Sequence, residues 1–235
     1  MITVRTGSTR LPNKCMYDLC GETVLSHVIL RALKFGFTPV IATTDLPEDS
    51  VIDQIAYYYG VPCYRGSVED KMQRWLSACQ QFDIERFAVV DCDDPFFDFT
   101  LTRLMYYASL SYDFVMPDMR AYLGSHGMGV AVEALGHVVD ANAASNIHST
   151  ENVTKFIINE PSVIHTKVED LHPMEDDLRL TLDYPEDYWL ISTVCRELGR
   201  YATRTDIVDF FVQNPGLKLV NSFRNFEWKQ RQDQQ

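Results

Sequence analysis

No apolar run in this sequence approaches the roughly 18 residues that a helix needs to cross a lipid bilayer. Residues 1–5, which read MITVR, do not form the basic segment followed by an apolar stretch that is typical of a secretory signal. The sequence also lacks internal repeats and low-complexity segments. These absences lead us to expect a soluble, cytoplasmic protein with no membrane partner.

Cysteine is present, but it lacks any pattern of paired use. The six cysteines are scattered without a CxxC pair, at Cys15, Cys20, Cys63, Cys79, Cys92 and Cys195. A chain of 235 residues is long enough to bury a core without covalent cross-links. We therefore expect neither disulfide bonds nor a structural zinc site.

Positive charge is scarce as well. The chain has 21 lysine and arginine residues against 33 aspartate and glutamate residues, a formal net charge of -12. This charge disfavours extended contact with nucleic acid or with an anionic membrane, so we expect neither as a partner. A nucleoside triphosphate is not excluded, because it needs only a local cluster of cations and a divalent metal.

What is present is an ordinary globular composition, 46% apolar and 23% charged, in which strand-like apolar runs alternate with helical patterns. A short strand is predicted before Val4. Further strands are predicted at about 38–43, 61–64, 87–90 and 177–183, and helices at about 23–35, 47–56, 68–81 and 185–198. The alternation predicts an α/β fold with a doubly wound, mostly parallel sheet, whose ligands gather at the carboxyl ends of the strands.

We predict one domain over residues 1–228, followed by a polar tail over 229–235 that frays. Between about 113 and 167 the pattern becomes β-like and rich in glycine, with Gly124, Gly127 and Gly129 close together. We interpret this segment as a β-rich insertion that caps or widens the site.

A cationic loop follows the first predicted strand. Arg5, Arg10 and Lys14 lie within ten residues, with Gly7 and hydroxyl side chains between them. Such a loop can wrap a polyphosphate through its backbone N–H groups and its cations. It fits neither GxxxxGK[ST] nor GxGxxG, which disfavours a P-loop or a dinucleotide site. A solvated basic loop is the alternative interpretation.

Two aspartates far apart in the chain, Asp93 and Asp183, each follow a predicted strand. They can therefore converge on one ion, and Mg²⁺ typically takes one or two carboxylates together with phosphate oxygens. A helix-capping or turn role is the alternative for each of them. Asp91 and Asp94 add negative charge nearby, and we treat them as candidates for outer contacts only.

The stretch 6–14, TGSTRLPNK, resembles the RxxSxRLPxK signature of the CMP-sugar synthetases, the family of the acylneuraminate and 3-deoxy-manno-octulosonate cytidylyltransferases. It is most similar to the spore coat polysaccharide branch, where MGSTRLPGK is common. The later segments ATTD, VPCYRGS, DDP and LDYPED follow in the family's order, so the similarity spans about residues 3–191. Asn13 replaces the common glycine, which is tolerable because asparagine accepts left-handed backbone conformations. The first strand is shorter than the family usually builds.

The resemblance implies a Rossmann-like sheet of the glycosyltransferase-A nucleotidyltransferase type. It also implies a homodimer that transfers CMP from CTP, with Mg²⁺, to a small anionic sugar-like acceptor and releases pyrophosphate. By the same resemblance Asp93 and Asp183 hold the metal, while Arg10 and Lys14 bind the triphosphate and stabilise the departing pyrophosphate. Residues expected to bind the nucleotide are Arg5, Thr6, Gly7, Ser8, Thr9, Arg10, Lys14, Thr43, Thr44, Arg65, Gly66 and Ser67.

The acceptor site is harder to predict. The stretch 127–135 resembles a family segment expected near the acceptor and the dimer interface, and Glu133 there either contacts acceptor hydroxyls or is an ordinary strand-edge residue. Arg65 is equally well explained as a surface residue paired with Glu69. His126, His148 and His165 lack metal-ligand spacing, and we expect them to be structural or at the surface. A phosphonate or polyol phosphate as acceptor, another NTP, and a non-catalytic nucleotide-binding homologue are the competing functions.

Overall fold

The computed structural model describes residues 1–117, 124, 127–147, 150, 153–168 and 178–234, with the backbone alone at 229 and 231–234. The nine strands in these ranges are β1 (Ile2–Thr3), β2 (Asp18–Leu19), β3 (Glu22–Thr23), β4 (Ile41–Thr44), β5 (Cys63–Gly66), β6 (Arg86–Asp91), β7 (Phe114–Pro117), β8 (Met128–Ala131) and β9 (His165–Val168). The nine α-helices are α1 (Val24–Lys34), α2 (Ser50–Tyr58), α3 (Lys71–Phe82), α4 (Phe99–Ala108), α5 (Val132–Ala144), α6 (Val153–Ile158), α7 (Pro185–Leu198), α8 (Arg204–Gln213) and α9 (Arg224–Gln234). Short 3-10 helices cover Lys14–Met16, Pro47–Asp49 and Pro215–Val220.

Seven strands form one sheet in the order β5-β4-β1-β6-β8-β7-β9, and β2 pairs with β3 in a separate hairpin. In the described part of this seven-stranded sheet, the pairs β5-β4, β4-β1, β1-β6 and β7-β9 are parallel, and the two pairs that involve β8 are antiparallel. This confirms the predicted mostly parallel α/β sheet. Thr3 at the end of β1 pairs with Asp91 at the end of β6, so the carboxyl ends of the central strands meet at one edge.

The sheet buries apolar side chains on both faces, as a doubly wound sheet must. Ile41 and Val90 point into the larger core, which is closed by α1, α2 and α7. Their neighbours Ala42 and Val89 point into a second core beneath α3 and α5. The alternation along each strand divides the two layers.

Helix starts are well determined by local capping chemistry. The Thr23 side chain accepts a hydrogen bond from the Ser26 N–H at the start of α1, and Asp70 does the same for Gln73 at the start of α3. The helix predicted at 185–198 is confirmed as α7, with Pro185 at its first position. None of the helices in the described ranges combines the length and apolar character of a membrane span.

One strand of the sequence interpretation needs correction. Within 177–183, the described residues 178–183 contain an isolated bridge at Arg179 and no strand. In the segment 113–167, β7, β8 and β9 are accompanied by α5 and α6. The structure continues α9 to Gln234, and fraying of the polar tail stays a prediction.

Candidate active site

The cationic loop leaves β1 at the carboxyl edge of the sheet, and a buried aspartate fixes its first turn. Thr6 donates to Asp49 Oδ1 through its backbone N–H at 2.7 Å and through its hydroxyl at 2.6 Å. The Thr44 hydroxyl donates to Asp49 Oδ2, and the Asp49 side chain is fully buried. Thr6 and Thr44 were both predicted to bind nucleotide. Their hydroxyls instead join the loop to the end of β4.

The rest of the loop is a tight turn with accessible residues. The Ser8 and Asn13 N–H groups both donate to the Thr6 carbonyl oxygen, at 2.8 and 3.1 Å. Asn13 has φ 55°, the left-handed conformation expected where the family commonly has glycine. Gly7 and Thr9 are exposed at the tip, where both can meet a ligand.

The structure brings the two predicted cations and the two predicted acids together. The Lys14 ammonium contacts Asp93 Oδ2 at 2.5 Å and Asp183 Oδ1 at 2.9 Å, and Arg10 Nη2 contacts Asp183 Oδ1 at 2.8 Å. Burial by itself would lower the pKa of Lys14, but the two carboxylates outweigh burial and raise that pKa above its ordinary value. Burial opposes ionisation of Asp93 in the same way, and the Lys14 ammonium nevertheless holds the Asp93 pKa below its usual range.

The segments that carry these acids are joined by their backbones. The Leu182 N–H donates to the Asp93 carbonyl oxygen at 2.7 Å, which places Asp183 beside Asp93. Asp91, the last residue of β6, pairs with Lys71 at 2.9 Å. Burial, followed by the charges of Asp93 and Asp91, raises the pKa of Asp94 well above its ordinary value. The edge is thus acidic, and carboxylates already engage its cations Arg10, Lys14 and Lys71.

The donor set fits a divalent cation only in part. Carboxylate oxygens of Asp93 and Asp183, which come from different segments, converge on one positive charge, the Lys14 ammonium. Among the described residues there is no group of three or more His, Cys, Asp or Glu side chains arranged to hold a metal. An ion held by these two carboxylates would need its other ligands from phosphate oxygens and water, which is how Mg²⁺ is commonly bound.

The residues predicted to surround the base and ribose lie at the same edge, at the ends of β4 and β5. The Thr43 hydroxyl is buried and has no hydrogen-bond partner among the residues that the structure describes. The Arg65 guanidinium donates to the carbonyl oxygens of Thr44 and Leu46, at 3.2 and 2.7 Å, which is a different contact from the Glu69 pairing considered above. Gly66 ends β5, and the Ser67 hydroxyl accepts from the Asp70 N–H at 3.0 Å.

Glu133 is not brought to this edge within the chain. Ala131 at the end of β8 pairs with Arg86 at the start of β6, because β8 runs antiparallel to β6. Glu133 follows in the first turn of α5 and is exposed at the opposite edge, roughly 17 Å away by the length of β6. Within one chain Glu133 therefore lies apart from Asp93 and Asp183, and its contact with the acceptor stays a prediction. His165 lies exposed on β9, while His126 and His148 lie outside the described residues.

Sequence reasoning missed Asp49 and the pair formed by Arg179 and Asp187. Arg179 Nε donates to Asp187 Oδ1 at 2.9 Å and Arg179 Nη2 donates to Asp183 Oδ2 at 3.0 Å, all within the interior. Asp49 is the third residue of a Pro-Glu-Asp turn at the start of the helix predicted at 47–56, and the sequence pattern there indicates only a helix start. An arginine in a leucine-rich segment was the available signal for the Arg179 pair.

Comparisons with known proteins agree with this geometry. The spore coat polysaccharide biosynthesis protein SpsF of Bacillus subtilis is 26% identical over 235 residues, covering 92% of this chain and 94% of that protein. A solved cytidylyltransferase from Leptospira borgpetersenii serovar Hardjo-bovis shares the fold with a TM-score of 0.83 at 23% identity, covering 92% of this chain and 94% of the other. A solved CMP:2-keto-3-deoxy-manno-octonic acid synthetase in complex with CTP has a TM-score of 0.60 at 14% identity, covering 83% and 97%.

The family assignment comes from a model of the cytidylyltransferases that matches residues 1–212. This match covers the cationic loop, Asp93 and Asp183, which are the parts that the fold brings together. The chain therefore belongs to the cytidylyltransferase family and is a CTP-dependent nucleotidyltransferase.

Proposed function

We propose that this enzyme transfers CMP from CTP to a small anionic sugar-like acceptor of the ulosonic or nonulosonic acid type, with release of pyrophosphate, for a surface polysaccharide or glycoconjugate precursor. The observation that carries the proposal is the convergence of Arg10 and Lys14 with Asp93 and Asp183 at the carboxyl edge of the sheet. The names of the Bacillus subtilis relative and of the CTP-bound neighbour support a product used in polysaccharide synthesis and a keto-acid sugar as acceptor.

The cationic loop would hold the triphosphate. The backbone around the exposed Gly7 and Thr9, supported by Arg5 and Ser8, would face the phosphate oxygens. Arg10 and Lys14 would leave their carboxylate partners to neutralise the β- and γ-phosphates. Asp93 and Asp183 would then hold Mg²⁺, which supplies charge neutralisation on the phosphates when it is bound.

In the reaction an oxygen of the acceptor attacks the α-phosphorus in line. A phosphorus–oxygen bond forms to the acceptor as the bond to the bridging oxygen breaks, pyrophosphate leaves, and the acceptor proton is lost to solvent. Arg10 and Lys14 would stabilise the charge that develops on the departing pyrophosphate. Lys71, paired with Asp91 at the same edge, supplies a further positive charge that suits an anionic acceptor.

Calorimetry with CTP and Mg²⁺ tests the site assignment. Lys14→Ala and Asp93→Asn should each weaken CTP binding by about 10- to 100-fold, because each removes a charge-assisted contact. Lys34→Ala at the end of α1 and Asp83→Asn after α3 are matched controls at the opposite edge, and we expect wild-type binding from both. If the wild type does not bind CTP, or if both site variants bind it normally, the assignment is wrong.

A pyrophosphate-release screen tests the nucleotide and the acceptor. Each of the four NTPs is combined with keto-acid sugars, phosphonates and polyol phosphates, and we expect turnover with CTP and a keto-acid sugar. Turnover with only a phosphonate or a polyol phosphate would mean that the acceptor belongs to that class and not to the keto-acid sugars. CTP binding without any turnover would favour a non-catalytic homologue. The homodimer stays a prediction, which sedimentation of the purified chain would check.

A further inference from the structure

The last part of the chain lies beyond residues 1–212, which match the family, and contacts the buried residues that support Asp183. Asn221 follows the 3-10 helix Pro215–Val220 and is fully buried. Its Nδ2 donates to Asp187 Oδ1 and to the Arg179 carbonyl oxygen, both at 2.9 Å. Because both neighbours are acceptors, only the amide nitrogen can face them, and the orientation of the amide is determined.

Asp187 connects Asn221 to Arg179 and to the backbone of the turn at Asp183 and Tyr184. Its Oδ1 accepts from Arg179 Nε at 2.9 Å, and its Oδ2 accepts from the backbone N–H groups of Asp183 and Tyr184, each at 2.9 Å. The carboxylate is fully buried, as is the Arg179 side chain. Asp187 therefore holds both a guanidinium and the backbone of Asp183 in one arrangement.

The two carboxylate oxygens of Asp183 have different hydrogen-bond partners. Oδ2 accepts from Arg179 Nη2 at 3.0 Å on the interior side, while Oδ1 faces Arg10 and Lys14. Since the Arg179 side chain has no exposed surface, it cannot contact a bound nucleotide or cation directly and can affect them only by positioning Asp183. It determines which carboxylate oxygen is presented to the site.

A second contact anchors the C-terminal segment next to Asn221. The Arg224 guanidinium lies over the Tyr184 ring, 4.6 Å from its centroid. It also pairs with Glu186 at 3.0 Å and with Glu227 at 2.7 Å. The turn that carries Asp183 is thus held by residues from both ends of the 221–224 stretch.

We propose that Asn221 is a positioning residue for Asp183, acting through Asp187 and Arg179, so that the C-terminal segment determines the affinity of the site for the divalent cation that accompanies CTP. This inference rests on the proposed role of Asp183 as a ligand of that cation. Removal of an outer contact to a metal-ligating side chain typically lowers metal affinity by about 10- to 100-fold.

The test is CTP binding, measured by calorimetry at a series of Mg²⁺ concentrations on the full chain. Asn221 contacts Asp187 and not Asp183 itself, so Asn221→Ala should raise the Mg²⁺ concentration for half-maximal CTP binding by about tenfold, the lower end of that range, at unchanged stoichiometry. Asn221→Asp, which keeps the shape but replaces the donor by an acceptor, should raise it at least as much. Asn214→Ala is the matched control, because the Asn214 amide donates to the Phe210 carbonyl oxygen at the end of α8, away from the site.

The outcomes separate this inference from the function on which it rests. A wild type that binds no CTP, or an Asp183→Asn variant with the wild-type Mg²⁺ dependence, overturns the proposed function. If Asp183→Asn is impaired while both Asn221 variants keep the wild-type midpoint, only the inference fails. A lowered stoichiometry at the wild-type midpoint also overturns it, since a purely structural role predicts that result. Should Asn221→Ala not fold, Asn221→Ser is judged by the same midpoint.

Discussion

Replacing Lys14 by methionine tests the charge cluster directly. The variant keeps the length of the side chain and removes the ammonium that contacts Asp93 at 2.5 Å and Asp183 at 2.9 Å. The Lys14 and Asp183 side chains are 13% and 3% exposed, and losing one partner of a buried ion pair costs about 3–5 kcal/mol. Asp183 keeps its contacts with Arg10 and Arg179, and Asp93 is 25% exposed and can be partly solvated, so we expect the free energy of unfolding to fall by only about 1–3 kcal/mol.

Mg²⁺ should recover part of this loss. Without the ammonium, no cation bridges the carboxylates of Asp93 and Asp183, although Arg10 and Arg179 still contact Asp183. A divalent ion bound there with a Kd of about 1 mM and present at about 10 mM stabilises the fold by about 1.4 kcal/mol. For a chain of this size that raises the Tm of Lys14→Met by about 3–6 °C. The wild type, whose carboxylates already hold Lys14, should respond by less than about 1 °C.

Thermal unfolding followed by circular dichroism, with and without Mg²⁺, measures both effects. Lys34→Met, at the end of α1 and over the Tyr201 ring, is the matched control and should show neither. Adding Asp93→Asn to the Lys14 variant should abolish the response to Mg²⁺. A Lys14→Met protein as stable as the wild type, or one whose Tm ignores Mg²⁺, would refute the proposed convergence of the two acids on one cation.

Three further outcomes follow from individual side chains. Burial, reinforced by the positive charges of Arg31 and Arg200, lowers the pKa of His27 from 6.5 to about 3. The unfolded chain therefore takes up a proton below pH 6.5 that the folded chain refuses, so stability falls by about 1.4 kcal/mol per pH unit as pH drops below 6.5. Urea unfolding at several pH values should show His27→Gln without this slope. Asp49→Asn puts an amide against the donors that Asp49 accepts, and it should cost about 1–3 kcal/mol in urea unfolding and raise the KM for CTP. Glu133→Ala should keep kcat/KM within about twofold, and a tenfold loss in that assay would mean that Glu133 reaches a site from another copy of the chain.

Elements with strong local signals were predictable from sequence. The apolar period of α1, its capping Thr23, and Pro185 at the start of α7 are all visible in the sequence, and both helices lie where they were predicted. The strand predicted at 177–183 failed for the opposite reason. Alternating leucines indicate burial, and the described residues 178–183 are indeed buried, but a strand also needs a neighbour with which to form a ladder.

The charged residues of the candidate site were predictable from sequence, but the buried residues that hold them in place were not. Asp93 lies just after β6, at the carboxyl edge where the rule for parallel sheets places it. Asp183 reaches that edge through the hydrogen bond from the Leu182 N–H to the Asp93 carbonyl oxygen, and not as the end of a strand. The position of Glu133 was not predictable, because sequence does not show that β8 enters the sheet antiparallel and sends the residues after it to the edge opposite Asp93. Asp49 contacts Thr6, and Asn221 contacts Asp187, which are pairs of residues far apart in the chain. Such contacts cannot be predicted from a local sequence pattern.

On the proposed function, the charge arrangement would make binding of CTP and Mg²⁺ interdependent. If Lys14 and Arg10 turn to a triphosphate, Asp93 loses its contact with Lys14, and Asp183 keeps only Arg179 of the three cations that contact it, which is costly for partly buried carboxylates. A divalent cation held by the two carboxylates would remove that cost. Each ligand would then raise the affinity for the other by the same factor, as linkage requires. On this proposal Lys14 takes the place of the metal in the nucleotide-free protein, which is why removing it should expose a site for Mg²⁺ alone.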